Sequence, residues 1–205
     1  MSEAGEMTAE DQGRVGFYAL LSRFLFAGPD AALLQLVSES GELPNIEPGG
    51  ELAVAWAEFR AACSGPDPHL LADEYESLFV GVGKAPVTPY ASHYLVEAGR
   101  ERVLVRLRDR LSELGLARAG GVSEPEDHFA GLLDVMRHLA ARGPRAADPD
   151  AALQDQARFF AEFIEPGYAA FCAGVRAVGG KSFYASVAKL LQSFLDVERA
   201  ALKMI

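Results

Sequence analysis

Residues 74–94 read EYESLFVGVGKAPVTPYASHY, and the fold is decided by what this stretch can and cannot be. Glu74 to Val80 has helical spacing. The continuation does not: Gly81 and Gly83 open backbone angles that other residues avoid, while Pro86 and Pro89 fix φ and remove two amide donors. The residue ahead of each proline is pushed toward extended geometry. Pro89, Tyr90, Ser92, His93 and Tyr94 then set aromatic and polar groups on a structured, non-helical crossing. A crossing of this kind, inside an otherwise helical chain, is where a binding surface is expected.

On both sides of the crossing the pattern is helical. Thr8 and Asp11 give an N-cap signal, and Arg14 to Ala27 carries Val15, Tyr18, Leu21, Phe24 and Leu25 on one face. Gly28-Pro29-Asp30 closes it and starts a short helix, Ala31 to Ser38; Gly41 to Gly50 is a loop. Leu52 to Cys63 is a helix whose only tryptophan, Trp56, reads as a core anchor ahead of a ligand platform. His69 to Val80 is the next helix. Beyond the crossing, Ala91 to Leu116 reads as one helix whose arginines interleave with acids, a solvated face with i,i+4 pairs rather than a phosphate patch. Leu116 to Val122 is a Gly-rich linker. Ser123 to Arg142 follows as a helix opened by the capping box Ser123/Glu126 with Pro125 in its first turn. Asp150 to Ile164, Pro166 to about Val178, and Ser182 to Leu202 complete the set. No stretch alternates like a strand, so the expectation is an all-α single-domain bundle of about eight to ten helices, with a possible hinge near 117–122.

The totals bound the function. At 205 residues one core of several helices forms, and a net charge of −10 argues against duplex nucleic acid as a partner. That charge suits a cationic partner, and serves solubility equally well. Cys63 and Cys172 lie far apart on apolar stretches and read as buried free thiols of a reducing compartment. The polar N-terminus lacks an apolar signal region and no segment reaches membrane-spanning length, so a cytoplasmic protein is expected.

No nucleophile, cofactor motif or metal set emerges. Gly81-Val82-Gly83-Lys84 lacks the frame of a phosphate loop. His93, His128 and His138 show no ligand spacing, and Asp134/His138 reads as a surface pair. Glu124, Glu126 and Asp127 cluster at a helix start, where acids cap amides and complement the dipole; alternatively one of them, beside His128, points out to a cationic partner.

Taken together, Tyr75-x-x-Leu78-Phe79-x-Gly81, Pro86-x-x-Pro89-Tyr90-x-Ser92-x-Tyr94 and Glu124-Pro125-x-Asp127-His128 resemble the TorD/DmsD family of cytoplasmic molybdoenzyme chaperones, to which the NarJ group is related. Phe159-Phe160 with Pro166, and Tyr184 to Glu198, resemble its later segments. The chain departs from the pattern at Ala91, where Glu is usual, at Phe163, where His is usual, and at Gly167, where Trp is usual. The resemblance implies an all-helical chaperone, not an enzyme, that takes no cofactor. It implies binding of the N-terminal, twin-arginine-type signal peptide of an apo-molybdoenzyme, with proofreading before export and aid to cofactor insertion. The implied peptide-binding residues are Tyr90, Ser92, Tyr94, Glu124, Asp127 and His128. A monomer, or a homodimer swapped across Gly120-Gly121 or Gly143-Pro144, fits the sequence equally. The rival reading is a helical scaffold or regulatory protein that binds a folded partner and ignores an isolated leader.

Overall fold

A computed structural model describes residues 7–43, 46–47, 49–81, 85–118, 120–121, 124–180 and 182–205. The described chain is all-α, 71% helical with ten helices. They are α1 (Ala9–Phe26), α2 (Ala31–Ser38), α3 (Glu51–Ala62), α4 (Pro68–Tyr75), α5 (Ser92–Leu95), α6 (Arg100–Glu113), α7 (Phe129–Arg142), α8 (Pro149–Phe159), α9 (Tyr168–Gly179) and α10 (Phe183–Leu202). No strand occurs among the described residues, only one isolated bridge. No helix among them is long and apolar enough to cross a membrane.

Local chemistry sets most helix starts. Thr8 and Asp11 exchange backbone amide bonds at 3.1 Å each, the reciprocal box the sequence signals. Asp30, Asp67 and Asp148 each accept an amide of the helix they open, α2, α4 and α8. Ser182 does the same for α10, accepting from Ala185 N at 3.3 Å.

The chain forms two compact units. The first holds residues 1–22, 89–168 and 199–205. Its core is the apolar face of α7 (Phe129, Leu132, Leu133, Met136, Leu139) with Leu107 of α6 and the cluster Phe159, Phe160, Phe163 and Ile164, all buried. The second holds residues 23–88 and 169–198. There Phe24 meets Phe59 edge to face at 5.1 Å, and Phe79 meets Tyr184 at 5.3 Å. Trp56 is core, its indole N–H donating to Gly41 O at 3.0 Å. Cys63 and Cys172 are free and buried, and burial pushes both thiols up to about 12. A Cβ on Gly28 would stand 2.9 Å from Ala72 Cα, so glycine lets the end of α1 approach α4.

Four expectations need correction. Helix 69–80 is not α throughout: α4 widens into a π turn over Glu76–Val80, closed by Gly81 N donating to Glu76 O at 2.7 Å. Gly81 exits at φ +62. Helix 150–164 ends in the same way, with a π turn over Phe160–Ile164 and Glu165 N on Phe160 O at 2.9 Å. Leu78 with Phe79, and Phe163 with Ile164, lie on these wide turns and are buried. Along α8 itself the buried residues are Ala152, Gln156 and Phe159, and Leu153 and Ala157 are only half-buried. Third, 91–116 is two helices: Val96 is extended and Gly99 is left-handed at φ +77, a conformation that interrupts the helix before Arg100. Last, α7 starts at Phe129, six residues later than its sequence signal; Ser123 of the expected capping box lies outside the described residues, as do Val82 to Lys84 of the phosphate-loop fragment. The segment 117–122, expected as a hinge, falls inside the first unit, with Ala119 and Val122 outside the described residues.

Leu78 and Phe79 are buried and Tyr75 is half-buried, its hydroxyl donating to Phe26 O at 2.8 Å. The Tyr184 hydroxyl is buried with no hydrogen-bond partner among the described residues. Phe79→Ala is therefore expected to cost about 3–5 kcal/mol. Tyr184→Phe is expected to be neutral or stabilising by about 1 kcal/mol, because it removes an unsatisfied buried donor. Urea titration of both variants checks the contrast.

Candidate functional site

The site grows from two stretches that local sequence keeps out of helix, 85–91 and 124–128. Proline supplies no amide at 89, but its carbonyl is free to accept. The first amides of a helix have no partner inside it. The structure joins these needs: Phe129 N, at the start of α7, donates to Pro89 O at 2.9 Å, and Ala91 N donates to Asp127 O at 2.8 Å. Together they make an antiparallel bridge centred on Tyr90 and His128. A pair lying between ladder bonds brings its side chains close, and the Tyr90 and His128 rings meet edge to face at 5.4 Å.

The acids of this stretch have separate employments. Asp127 is 3% exposed, and its Oδ2 accepts from Ser92 N at 3.2 Å. It caps α5, not α7. His128 is 4% exposed and is the N-cap of α7, its Nδ1 accepting from Ala130 N at 3.1 Å. That bond requires an unprotonated Nδ1. Burial holds the His128 imidazole below its ordinary value, against the opposing pull of Glu124 and Asp127. Glu124 is half-buried, and the Tyr90 hydroxyl donates to its Oε2 at 2.6 Å. Among the described residues no cation is paired with the Glu124 carboxylate. Glu126 is paired with Arg108 at 3.0 Å, and this bond holds its carboxyl below the usual carboxylate range despite partial burial. Arg118 donates to the Glu124 carbonyl at 3.2 Å.

Of the six residues expected from sequence, Tyr90, Ser92, Glu124, Asp127 and His128 thus meet in one hydrogen-bonded cluster. Tyr94 stands beside it, its ring 5.0 Å from His93 and 6.0 Å from Phe129. Ser92, Asp127 and His128 are buried, while Tyr90, Tyr94 and Glu124 are partly open. The acid that faces outward is Glu124, while the buried side chains of Asp127 and His128 accept backbone amides.

Two contributors escaped the sequence reading. Gly167, at the place of the usual Trp, lies so close to the crossing that a Cβ on it would stand 3.1 Å from Tyr94 Cβ and 3.4 Å from Phe129 Cζ. Its closeness follows from the π turn before it, which carries no sequence signal. The sequence places Arg108 on a solvated face with i,i+4 partners. The α6 arginines instead reach other elements: Arg106 pairs with Glu162, Arg108 with Glu126, and Arg110 with Asp155 as well as its neighbour Glu113. Asp134 pairs with Arg137 at 2.7 Å, so it is not held by His138. Among the described residues no group of three or more His, Cys, Asp or Glu side chains is arranged to hold a metal ion.

The His128 cap carries a pH dependence. Its pKa is lower folded than unfolded, so its contribution is complete above the unfolded value of about 6.5 and is lost as pH falls below it. Thermal melts are expected to show falling stability from pH 7.5 to 5.5. His128→Asn keeps a good cap without a titrating ring, so the fall over that range is expected to be shallower. Equal slopes in both proteins would refute the assignment.

The nitrate reductase delta subunit family matches residues 48–173, more than half of the chain. The chain is 31% identical over 185 residues to the chaperone protein TorD of Ferrimonas balearica, covering 82% of this chain and 79% of that one. It is 26% identical over 211 residues to TorD of Aliivibrio fischeri, covering 94% and 96%. It is 31% identical over 132 residues to TorD of an Escherichia coli strain, covering 62% and 61%. These matches run through the crossing and the acidic stretch paired with it, and the relatives are named as chaperones rather than enzymes. The chain belongs to the family of nitrate reductase delta subunits and TorD chaperones.

Proposed function

We propose that this chain is a cytoplasmic maturation chaperone for a molybdenum-containing redox enzyme. It binds the N-terminal, twin-arginine-type leader of the apo-enzyme and aids cofactor insertion before export or assembly. Family membership supports the class of partner. The leader reading is supported above all by one observation: Glu124 is a partly open carboxylate with no cation paired to it among the described residues, aimed by the Tyr90 hydroxyl.

The physics is that of a weakly screened acidic anchor beside aromatics. A twin-arginine leader presents guanidinium groups followed by an apolar stretch. Glu124 accepts the charged hydrogen bonds, and the partly open rings of Tyr90 and Tyr94 meet apolar surface. Ser92, Asp127 and His128 act through the backbone, keeping the crossing seated against the start of α7. The chain's net charge of −10 favours approach of a basic segment, an attraction that salt weakens.

Calorimetry with leader peptides of the molybdoenzymes encoded in the same genome, at two salt concentrations, tests this. One leader is expected to bind with micromolar or tighter affinity, more weakly at high salt, and not at all once its arginines are replaced. Glu124→Gln is expected to weaken it on the order of fivefold, the scale of a partly exposed ion pair. Asp127→Ala and His128→Ala are expected to weaken it while leaving helix content near wild type. Binding of intact apo-enzyme with no response to any leader would favour the scaffold reading instead.

A further inference from the structure

Arg108, like Arg100 and Arg102 but unlike Arg106 and Arg110, has no acid three or four positions away on its own helix. The residues three and four positions away are Leu104, Val105, Leu111 and Ser112, none of them acidic. It reaches across to Glu126 at 3.0 Å. The two side chains are unequally placed: Arg108 is 55% exposed and Glu126 11%. The cation is the outer member, so the pair opens by a swing of Arg108 into water while the carboxylate stays fixed. An ion pair whose cation stands in solvent is weakened by water and salt at that end, and a long cationic side chain leaves it readily. Glu126 and Glu124 flank Pro125, and they differ in occupancy: among the described residues the Glu124 carboxylate accepts from the Tyr90 hydroxyl and is paired with no cation, while Glu126 holds the chain's own guanidinium.

We propose that Arg108 is a built-in competitor at this site, occupying Glu126 in the free protein and leaving when a partner with two neighbouring cationic side chains arrives. One partner cation takes Glu124 without displacing anything. The second takes Glu126 only in exchange for Arg108. The exchange replaces one guanidinium–carboxylate bond by another and so costs the complex affinity without altering its geometry. A partner with a single cation gains nothing from the exchange. The arrangement therefore sets how sharply the protein separates paired from single cations. The inference rests on the leader reading given above.

The test is calorimetry at low salt with an arginine-pair leader peptide and the same peptide with one arginine changed to glutamine. The proteins are wild type, Arg108→Gln, Arg108→Lys, Glu126→Gln and the double variant Arg108→Gln/Glu126→Gln. Arg108→Gln is expected to tighten the two-arginine peptide roughly threefold, as fits release of a weak exposed pair, and to leave the one-arginine peptide near its wild-type affinity. Arg108→Lys, which keeps a competing cation, should stay near wild type, and Arg108→Gln in the Glu126→Gln background should change nothing. If wild type binds the two-arginine peptide and Arg108→Gln binds it equally or more weakly, Arg108 is no competitor and the leader reading stands. If no form binds either peptide, both fail together.

Discussion

The antiparallel bridge between 89–91 and 127–129 is the constraint on which the site depends. It is only two hydrogen bonds long, yet it fixes the start of α7, the start of α5 and the direction of Glu124 at once. Each bond uses a group that neighbouring structure leaves over. The Pro89 carbonyl has no ladder to join, the Phe129 amide has no helical acceptor, and the Asp127 carbonyl precedes the helix it would otherwise serve. Asp127 and His128 are tolerated in the interior because each accepts a backbone amide there, and a buried polar group without such a partner would be costly. The buried members are thus structural in their contacts, and the partly open ones are those we propose a partner meets.

Much of this was legible in the chain. Asp30, Thr8 with Asp11, and Ser182 signalled helix starts that the structure keeps, because a cap is a contact between residues three apart. The core role of Trp56 was equally plain from residue type. Long-range hydrogen bonding was not. The helix expected from Ser123 starts only at Phe129, because the backbone around Asp127 and Phe129 is drawn to residues 36 and 40 positions back, something no local window contains. Leu70 is apolar yet 66% exposed, since α4 turns Leu71 inward instead. The arginines of α6 showed their sign and their helix; which acids they would reach depended on packing.

The site's departures from its family pattern make sense as packing. Phe163 stands where the pattern has His, and it is buried against Phe159 at 5.2 Å, in a cluster with no evident use for a polar ring. Gly167 stands where the pattern has Trp, and the space a side chain would need is filled by Tyr94, Leu95 and Phe129. The crossing has settled onto bare backbone at that point. A larger residue at 167 would have to push Tyr94, and with it α5, away from the place the bridge gives it.

The two π turns have a consequence for direction. An α-helix advances about 100° per residue, so every residue has a fixed heading relative to the one before it. A π turn takes up one residue more than its α counterpart, and the chain beyond it leaves at a different azimuth. Over Glu76–Val80 this sets the heading with which the chain enters Gly81; over Phe160–Ile164 it sets the heading with which Gly167 is delivered beside Tyr94. Loss of a single residue in either place would leave too little chain for the wide turn, which would close as ordinary α-helix. Chain length at these two positions is therefore what the wide turns themselves depend on.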